Sequence, residues 1–197
     1  MSTVGGSSEP RLVLVRHGAT EWSENLRHTS RTDLPLLDCG AARARGLAPV
    51  LGAMRFARVL SSPLQRARQT AELAGFAGRL EVVPALTEWD YGDYEGRTSA
   101  EIWAERPSWN LWLDGAPGGE SPAQVAARAD AVIGEAVRSS GDVLIFAHGH
   151  ILRVIAARWA GGEAALEARL KLDPATISML GHEHANRVIE RWNGPAG

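Results

Sequence analysis

The sequence predicts an α/β fold in which helices sandwich a largely parallel sheet. Short apolar runs rich in β-branched residues recur along the chain, which is typical of strands covered on both faces. The stretches between these runs place apolar residues three and four positions apart, the spacing of one helical face. Because strands and helices alternate, the strands are expected to pair in parallel, with a ligand site at their carboxyl ends.

Six segments are predicted to be strands. Four form the buried central group: RLVLV (11–15), ARVL (57–60), LEVV (80–83) and DVLIF (142–146). The segments TISMLG (176–181) and RVIERW (187–192), joined through HEHAN, predict a closing pair.

The clearest helix signal begins at Ser121. Ser121 and Gln124 have the spacing of a capping box, and Pro122 occupies the first helical position. The apolar residues that follow lie on one face: Val125, Ala129, Val132, Ile133 and Ala136. Two further helices are predicted, one following Asp38 to about residue 54 and one over 63–74 that its proline opens.

Composition restricts the class of partner. The 197 residues carry a formal net charge of −2, which gives no basic field for nucleic acid or for an anionic membrane surface, so the expected partner is a small molecule. Cys39 is the single cysteine, which rules out a disulfide within the chain and a cysteine-rich zinc site and favours a cytoplasmic location. Residues 1–10 are expected to form a loose tail and 11–197 one domain. A homodimer is compatible with the sequence, which does not specify the assembly.

Charged residues follow three of the predicted strands. Arg16, His17 and Gly18 follow the first, where the glycine is expected to let the backbone approach a ligand. His148, Gly149 and His150 follow DVLIFA and precede a predicted helix, ILRVIAARW, while ARVLSS leads into a helix with Arg66 and Arg68 in its first turns. Since helix N-termini attract anions, these ends together predict a cationic pocket suited to phosphate.

Each feature alone has an ordinary structural explanation. A histidine at a strand end commonly makes a structural hydrogen bond, and Arg66 alone fits a solvated helix position. The conjunction of these features in one order favours a site. A metal site built from His17, His148 and His150, or from His182 and His184, is disfavoured because the flanking arginines would repel a cation, so neither a metal nor a cofactor is expected.

The chain resembles the histidine phosphatase superfamily, also called the phosphoglycerate mutase-like family. The motifs that carry the resemblance are RHGATEW (16–22), SSPLQRARQTA (61–71), LTEWDYGDYEG (86–96), GGES (118–121) and AHGH (147–150). The resemblance implies a three-layer α/β/α fold around a mostly parallel mixed sheet. It also implies phosphoryl transfer through a phosphohistidine, with no metal.

The same resemblance assigns the catalytic roles. His17 would be the nucleophile, Arg16, Arg66 and a cationic His148 would hold the phosphoryl oxygens, and Glu88 would protonate the leaving group. An attacking imidazole must be neutral, so neighbouring arginines are expected to lower the pKa of His17. A hydrogen bond from its other nitrogen to a carbonyl is expected to fix its tautomer.

Further contacts to the substrate are expected around these groups. The residues predicted to bind it are Thr20, Ser23, Thr29, Ser30, Trp89, Tyr91 and Gly149, although Thr20 also fits a turn. Many family members have asparagine at position 23 and glycine at position 30, so the predicted contacts of Ser23 and Ser30 depart from the family pattern. Asp90 and Asp93 are interpreted as loop charges and Glu95 as a support for the loop.

Departures from the mutase pattern favour hydrolysis. Mutases of this family place a cation directly after the glutamate and a lysine farther along, where this chain has Trp89 and Ser99, and they carry an insertion that is missing here. The chain looks like the acid phosphatase and sugar-phosphate phosphatase branch, including sedoheptulose bisphosphatase-like members. A small phosphorylated metabolite is the predicted substrate, with a cofactor-dependent phosphoglycerate mutase as the alternative and a non-catalytic binding module disfavoured.

Two groups of residues near these motifs have open roles. The first either binds a second phosphate or carboxylate or consists of solvated loop charges: Arg27, His28 and Arg31. The second, with Trp89, either forms an apolar wall over the entrance or packs in the core: Trp103, Trp109 and Trp112.

Overall fold

Six strands form one mixed sheet in the computed structural model, which describes residues 9–162 and 164–195. They are β1 (Leu12–Arg16), β2 (Arg58–Ser61), β3 (Leu80–Val82), β4 (Val143–Ala147), β5 (Ile177–Glu183) and β6 (Asn186–Gly194). Their order across the sheet is β3-β2-β4-β1-β5-β6. The first four strands pair in parallel, while β5 runs antiparallel to β1 and forms a hairpin with β6. All six predicted strands are confirmed, with bounds that differ by a few residues.

Helices cover the sheet. They are α1 (Glu21–Glu24), α2 (Asp38–Gly46), α3 (Ala48–Gly52), α4 (Gln65–Ala71), α5 (Ser99–Glu105), α6 (Leu111–Asp114), α7 (Pro122–Ala136), α8 (Gly149–Trp159) and α9 (Ala164–Glu167). In α7 the Ser121 side chain accepts from the Gln124 N–H, and the five predicted apolar positions are all buried. This helix is therefore confirmed with its cap and its core face.

Two helix predictions need correction. The run predicted up to residue 54 is interrupted at Leu47, because Pro49 has no N–H for the hydrogen bond that would continue α2. Pro49 lies in the first turn of α3 instead. Asp38 is the first residue of α2, and Leu37 is its N-cap. The helix predicted from Pro63 begins two residues later, because Leu64 is extended at ψ 137°.

The strands separate two apolar cores. Alternate residues of a strand point to opposite faces. On one face, Leu12 and Leu14 of β1 pack in the cluster that contains buried residues of α5 to α8. On the other face, Val13 and Val15 pack with Leu47 and with residues of α3 and α4. Helices thus lie on both sides of the sheet, which confirms the predicted three-layer α/β/α class.

The strand order positions the site. Strand β4 lies between β1 and β2, with Arg16 paired to Ala147, so three carboxyl ends meet at one edge of the sheet. Most of the predicted tail, residues 1–8, lies outside the described residues, while Glu9 contacts His182 at 2.7 Å. The division into tail and domain stays a prediction. In the described ranges, no helix combines the length and the apolarity needed to cross a membrane.

Candidate active site

A cavity of about 590 Å³ opens at the carboxyl ends of β1 and β4. Its inner wall consists of Arg16, His17, Glu88, Tyr91, Gly149, His150 and Arg153. Its other lining residues come from α1 and the loop after it, from α5 with its N-cap, and from one residue before β5: Ser23, Asn25, Leu26, Arg27, His28, Thr29, Thr98, Ser99, Ala100, Trp103 and Leu172. Chain segments distant in sequence thus converge on one space of the size usual for small ligands.

His17 is held with one ring nitrogen free for a ligand. Its backbone N–H donates to the Ala147 carbonyl at 3.0 Å, which fixes the end of β1 against β4. Nδ1 lies 2.7 Å from the Gly18 carbonyl oxygen, and because a carbonyl only accepts, Nδ1 carries the hydrogen and Nε2 keeps its lone pair. Burial, followed by His148, Arg66 and Arg16, holds the pKa of His17 well below its usual range. The ring therefore has the neutral tautomer that the sequence predicts.

Glycine is needed at position 18 for a different reason from the one predicted. A Cβ there would lie 2.6 Å from the Gly40 carbonyl oxygen, so the residue permits close packing of α2 on this loop. Its backbone N–H donates to the Thr70 hydroxyl at 2.9 Å. Gly18 thus supports the position of His17 through packing rather than through approach to a ligand.

Arg16 presents an unsatisfied donor to the cavity. Its Nη1 donates to the Leu172 carbonyl at 2.5 Å. Its Nε is buried and has no hydrogen-bond partner among the described residues. Burying a donor without a partner costs about 1–3 kcal/mol. Since Nε lies beside Gly149, an anion bound at this point would recover that cost.

His148 and Arg66 form a buried pair behind the cavity wall. Arg66 Nε donates to His148 Nδ1 at 3.2 Å, and because a guanidinium has no acceptor, the imidazole is neutral. His148 Nε2 then donates to the Ser62 hydroxyl at 2.7 Å. Burial, followed by Arg66, keeps the pKa of His148 well below its usual range. The expected cationic His148 is therefore wrong for this structure.

The rest of the Arg66 guanidinium is committed to the backbone. Its Nη groups donate to the carbonyls of Thr29, Ser30 and Thr32 at 3.0–3.2 Å. Arg66 and His148 are not among the residues that line the cavity, although the His17 and His148 ring centroids are 5.1 Å apart. Their predicted contact with phosphoryl oxygens stays a prediction.

Glu88 lies at the N-terminus of α8 as a carboxylate. Oε1 accepts from the N–H groups of Trp89 and Ile151, both at 2.9 Å, and Oε2 accepts from the His150 N–H at 3.0 Å. Burial raises the pKa of Glu88, but its interactions with His150 lower the pKa by more, so it lies well below its usual range. Glu88 is thus a base rather than an acid in this structure.

The wall beside Glu88 is polar and uncharged. Tyr91 Oη lies 2.6 Å from His150 Nδ1, and the His28 Nε2 lies 3.3 Å from the Ser99 hydroxyl. Burial, followed by His150, lowers the pKa of His28 to about 4. His28 is therefore neutral at physiological pH and supplies no charge for a second anion.

Several predicted substrate contacts are absent from the cavity. Ser23, Thr29, Tyr91 and Gly149 line it, as expected. Three other predictions are wrong for this structure, because these side chains make structural contacts instead. Thr20 caps α1, Ser30 lies against Glu88 and Glu95, and the buried Trp89 donates to the Glu120 carbonyl.

The neighbouring charged residues and tryptophans also divide into residues that line the cavity and residues that lie outside it. Arg68 is exposed, and Arg31 pairs with Asp90, which supports the interpretation of Asp90 as a loop charge. Glu95 accepts from two backbone N–H groups and so supports the loop as predicted. Of the tryptophans, Trp103 lines the cavity, whereas Trp109 and Trp112 pack in the core.

Arg153 is a cavity residue that the sequence motifs did not indicate. It lies on α8 four residues after Gly149, and this spacing places both on one face of the helix. Its guanidinium stacks 4.2 Å from the Trp112 ring centroid, and its Nε donates to the Glu167 carbonyl at 3.0 Å. Burial lowers the pKa of Arg153 to about 10, so it remains a cation at neutral pH. The helical spacing after AHGH was the available signal.

The histidines do not form a metal cluster in the part of the chain that is described. No group of three or more His, Cys, Asp or Glu side chains there has the arrangement of a metal site. His182 is paired with Glu9, at 2.7 Å.

Comparison with known proteins identifies the family. The chain belongs to the histidine phosphatase superfamily (branch 1), whose family model matches residues 12–195. It is 41% identical over 188 residues to an acid phosphatase of Mycobacterium tuberculosis, covering 93% of this chain and 92% of that protein. It is 34% identical over 187 residues to a sedoheptulose 1,7-bisphosphatase of Saccharomyces cerevisiae, covering 79% of this chain and 69% of that one.

A solved structure gives the same fold. The product of an open reading frame from Mycobacterium tuberculosis superposes with a TM-score of 0.91 at 38% identity, over 95% of this chain and 99% of the other. The fold of this chain, with its six-stranded sheet, is therefore shared with a solved protein structure.

Proposed function

We propose that the protein is a phosphatase that hydrolyses small phosphate monoesters, sugar phosphates or similar metabolites, through a phosphohistidine on His17 and without a metal ion. The acid phosphatase and the sedoheptulose bisphosphatase among its relatives support this substrate class. The observation that carries the mechanism is the pairing, in one cavity, of a neutral His17 with a free Nε2 and an Arg16 Nε that has no partner among the described residues.

In the first step, His17 Nε2 attacks phosphorus and the bond to the ester oxygen breaks. Negative charge spreads over the three outer phosphoryl oxygens, where Arg16, whose Nε has no partner among the described residues, stabilises it without solvent reorganisation. Contact of Arg66 and His148 with phosphoryl oxygens requires that binding exchange some of their present partners. Those partners are the carbonyls of residues 29–32 for Arg66 and the Ser62 hydroxyl for His148.

Glu88 is the proposed acid of the first step and the proposed base of the second. A bound phosphoryl anion beside the carboxylate raises its pKa by like-charge repulsion, and a phosphate monoester monoanion can supply the proton. Glu88 then protonates the leaving oxygen. In the second step it takes a proton from the water that attacks the phosphohistidine. The bond between phosphorus and Nε2 breaks, which restores neutral His17, and Glu88 passes the proton to the departing phosphate and returns to the carboxylate.

Arg153 is proposed to contact a second anionic group of the substrate. Its guanidinium lines the cavity and is held by stacking on Trp112 and by the Glu167 carbonyl. It thus takes over the role for which Arg27, His28 and Arg31 were considered. A cytoplasmic location and a homodimer stay predictions.

Phosphate release from a panel of sugar phosphates, measured with EDTA present, tests the proposal. We expect turnover that the chelator does not change. Following 3-phosphoglycerate by phosphorus NMR separates hydrolysis from transfer: free phosphate is expected, and accumulation of 2-phosphoglycerate instead would support a mutase.

The pH dependence of kcat/KM should be bell-shaped for an alkyl phosphate. His17 attacks only when neutral, and because its pKa is lowered, activity is lost only as the pH falls well below 6.5. The alkaline limb follows loss of the substrate monoanion, at about pH 6. Rates measured from pH 3 to 9 check this. An acidic limb at or above pH 6.5 would contradict a neutral buried nucleophile.

A further inference from the structure

Two large apolar side chains are exposed at the rim of the cavity. Leu26 is 78% exposed and Trp103 is 50% exposed, and both line the cavity that contains His17. The other exposed large apolar side chains of the described chain, Val82 and Leu113, lie outside it. Exposed apolar surface at a ligand cavity marks a binding surface more often than scattered single residues do. Leu26 and Trp103 are called the rim pair below.

The backbone fixes the two halves of the rim to each other. Arg27, next to Leu26, forms a β-bridge with Thr98, the N-cap of α5, which carries Trp103. Arg27 Nη1 also donates to the Gly96 carbonyl at 2.6 Å. His28 exchanges backbone hydrogen bonds with Gly96 and Arg97 at 2.8–2.9 Å. The backbone that carries the rim pair is therefore preorganised, so little backbone entropy is lost when a ligand binds there.

Each member of the pair has a local feature that suits a binding surface. The Trp103 indole N–H donates to the Trp109 carbonyl at 2.9 Å, so the ring is oriented and its one polar atom already has a partner. Leu26 has a φ of 56°, a conformation that is unfavourable for a leucine. Strain of this kind is concentrated at ligand sites.

We propose that the rim pair is a specificity subsite for a flat apolar ring in the leaving group of the substrate. The proposal rests on the proposed hydrolysis at His17. The cavity is continuous from His17 to the rim pair, and about 590 Å³ leaves room for a leaving group beyond the phosphoryl group. Ala100 and the neutral His28, which also line the cavity, bring no charge to this surface. Arg27 lines it as a cation whose Nη1 is held by the Gly96 carbonyl.

Matched esters test the subsite. Ethyl phosphate and 2-phenylethyl phosphate share an alkyl leaving oxygen and differ by the ring, and butyl and 4-phenylbutyl phosphate repeat the comparison with a longer reach. We expect the wild-type kcat/KM to be about tenfold higher for the phenyl ester in at least one pair, which is about 1.4 kcal/mol. Trp103→Ala and Leu26→Ala should each remove most of this preference. Leu113→Ala, an exposed apolar residue outside the cavity, should leave it unchanged.

Two conservative variants separate contact from folding. Trp103→Phe keeps an aromatic face without the indole N–H and should retain most of the preference. Leu26→Gly accepts a φ of 56° without strain, keeps the loop and removes the side chain, so it should lose the preference.

Binding of the unreactive phosphonates makes the test independent of turnover. Calorimetric Kd values for ethylphosphonate and its 2-phenyl derivative should show the same ratio and the same response to Trp103→Ala. If the ratio of the two Kd values is the same in the wild type and in both alanine variants, the rim subsite is overturned, while the proposed hydrolysis is unaffected. Absence of hydrolysis with a ring preference still present in binding would overturn the proposed function instead.

Discussion

Replacement of His17 by alanine is expected to lower kcat for phosphate ester hydrolysis by at least about 10⁴-fold, the scale on which enzymes depend on a covalent nucleophile. The variant retains Arg16 with its free Nε, so it should still bind inorganic phosphate or a substrate phosphate group. Phosphate release measured at saturating substrate, together with calorimetric binding of phosphate, separates the lost chemistry from lost binding.

An exposed histidine supplies the matched control for this substitution. His184 lies at the turn between β5 and β6 with a φ of 54°, which asparagine tolerates, so His184→Asn should keep full activity. Circular dichroism of both variants checks that the fold persists. Activity of His17→Ala within tenfold of the wild type would remove His17 as the nucleophile.

Replacement of Glu88 by glutamine is expected to slow hydrolysis of an alkyl phosphate by about 10²–10⁴-fold, the range of general acid catalysis. In kcat/KM, which reports only the steps up to phosphohistidine formation, hydrolysis of p-nitrophenyl phosphate should fall by less than about tenfold, because its leaving group needs little protonation. The ratio of the two rates, rather than either rate alone, reports the proton transfer.

The geometry of Glu88 predicts how the glutamine would sit. Oε1 accepts from both Trp89 and Ile151, so the amide oxygen is expected to take that place and the amide N–H₂ to face the His150 N–H. One hydrogen bond is lost there, at a cost of about 1–3 kcal/mol in stability. Asp93→Asn, an exposed change in the same loop, is the control. Equal slowing of both esters in kcat/KM would show that the substitution acts through the fold and not through protonation of the leaving group.

The sheet and the position of the site were predictable because they depend on local patterns. The apolar runs ending at Val15 and Ala147 are long enough to be strands, and parallel strands bring their carboxyl ends to one edge. Arg16 and His17 therefore lie at the cavity that the sequence predicts.

The protonation states were less predictable because they depend on partners far away in sequence. Arg66 and His148 are 82 positions apart, and their hydrogen bond makes the imidazole neutral where the sequence suggested a cation. Glu88 meets the first N–H groups of a helix that begins more than 60 positions later, as the separation of 62 from His150 shows, and they hold it as a carboxylate. Residue types alone do not reveal which donors a buried group will meet.

The misassigned contacts have a related cause. Thr20 and Trp89 belong to motifs that carry the site, yet Thr20 caps a helix and Trp89 packs on Trp112 in the core. Motif membership does not distinguish a residue that touches the ligand from one that supports the loop. Arg153 shows the converse, since it lines the cavity from outside every motif that carried the family resemblance.

Trapping of the phosphorylated protein during turnover tests the central claim most directly. The protein is mixed with substrate, quenched in alkali within milliseconds and digested for mass spectrometry under alkaline conditions, with His17→Ala treated in parallel. We predict an alkali-stable, acid-labile phosphate on the ring of residue 17 in the wild type, formed before free phosphate and missing from the variant. Phosphate on another residue, or full turnover with no phosphorylated protein at any time, would contradict a phosphohistidine at His17.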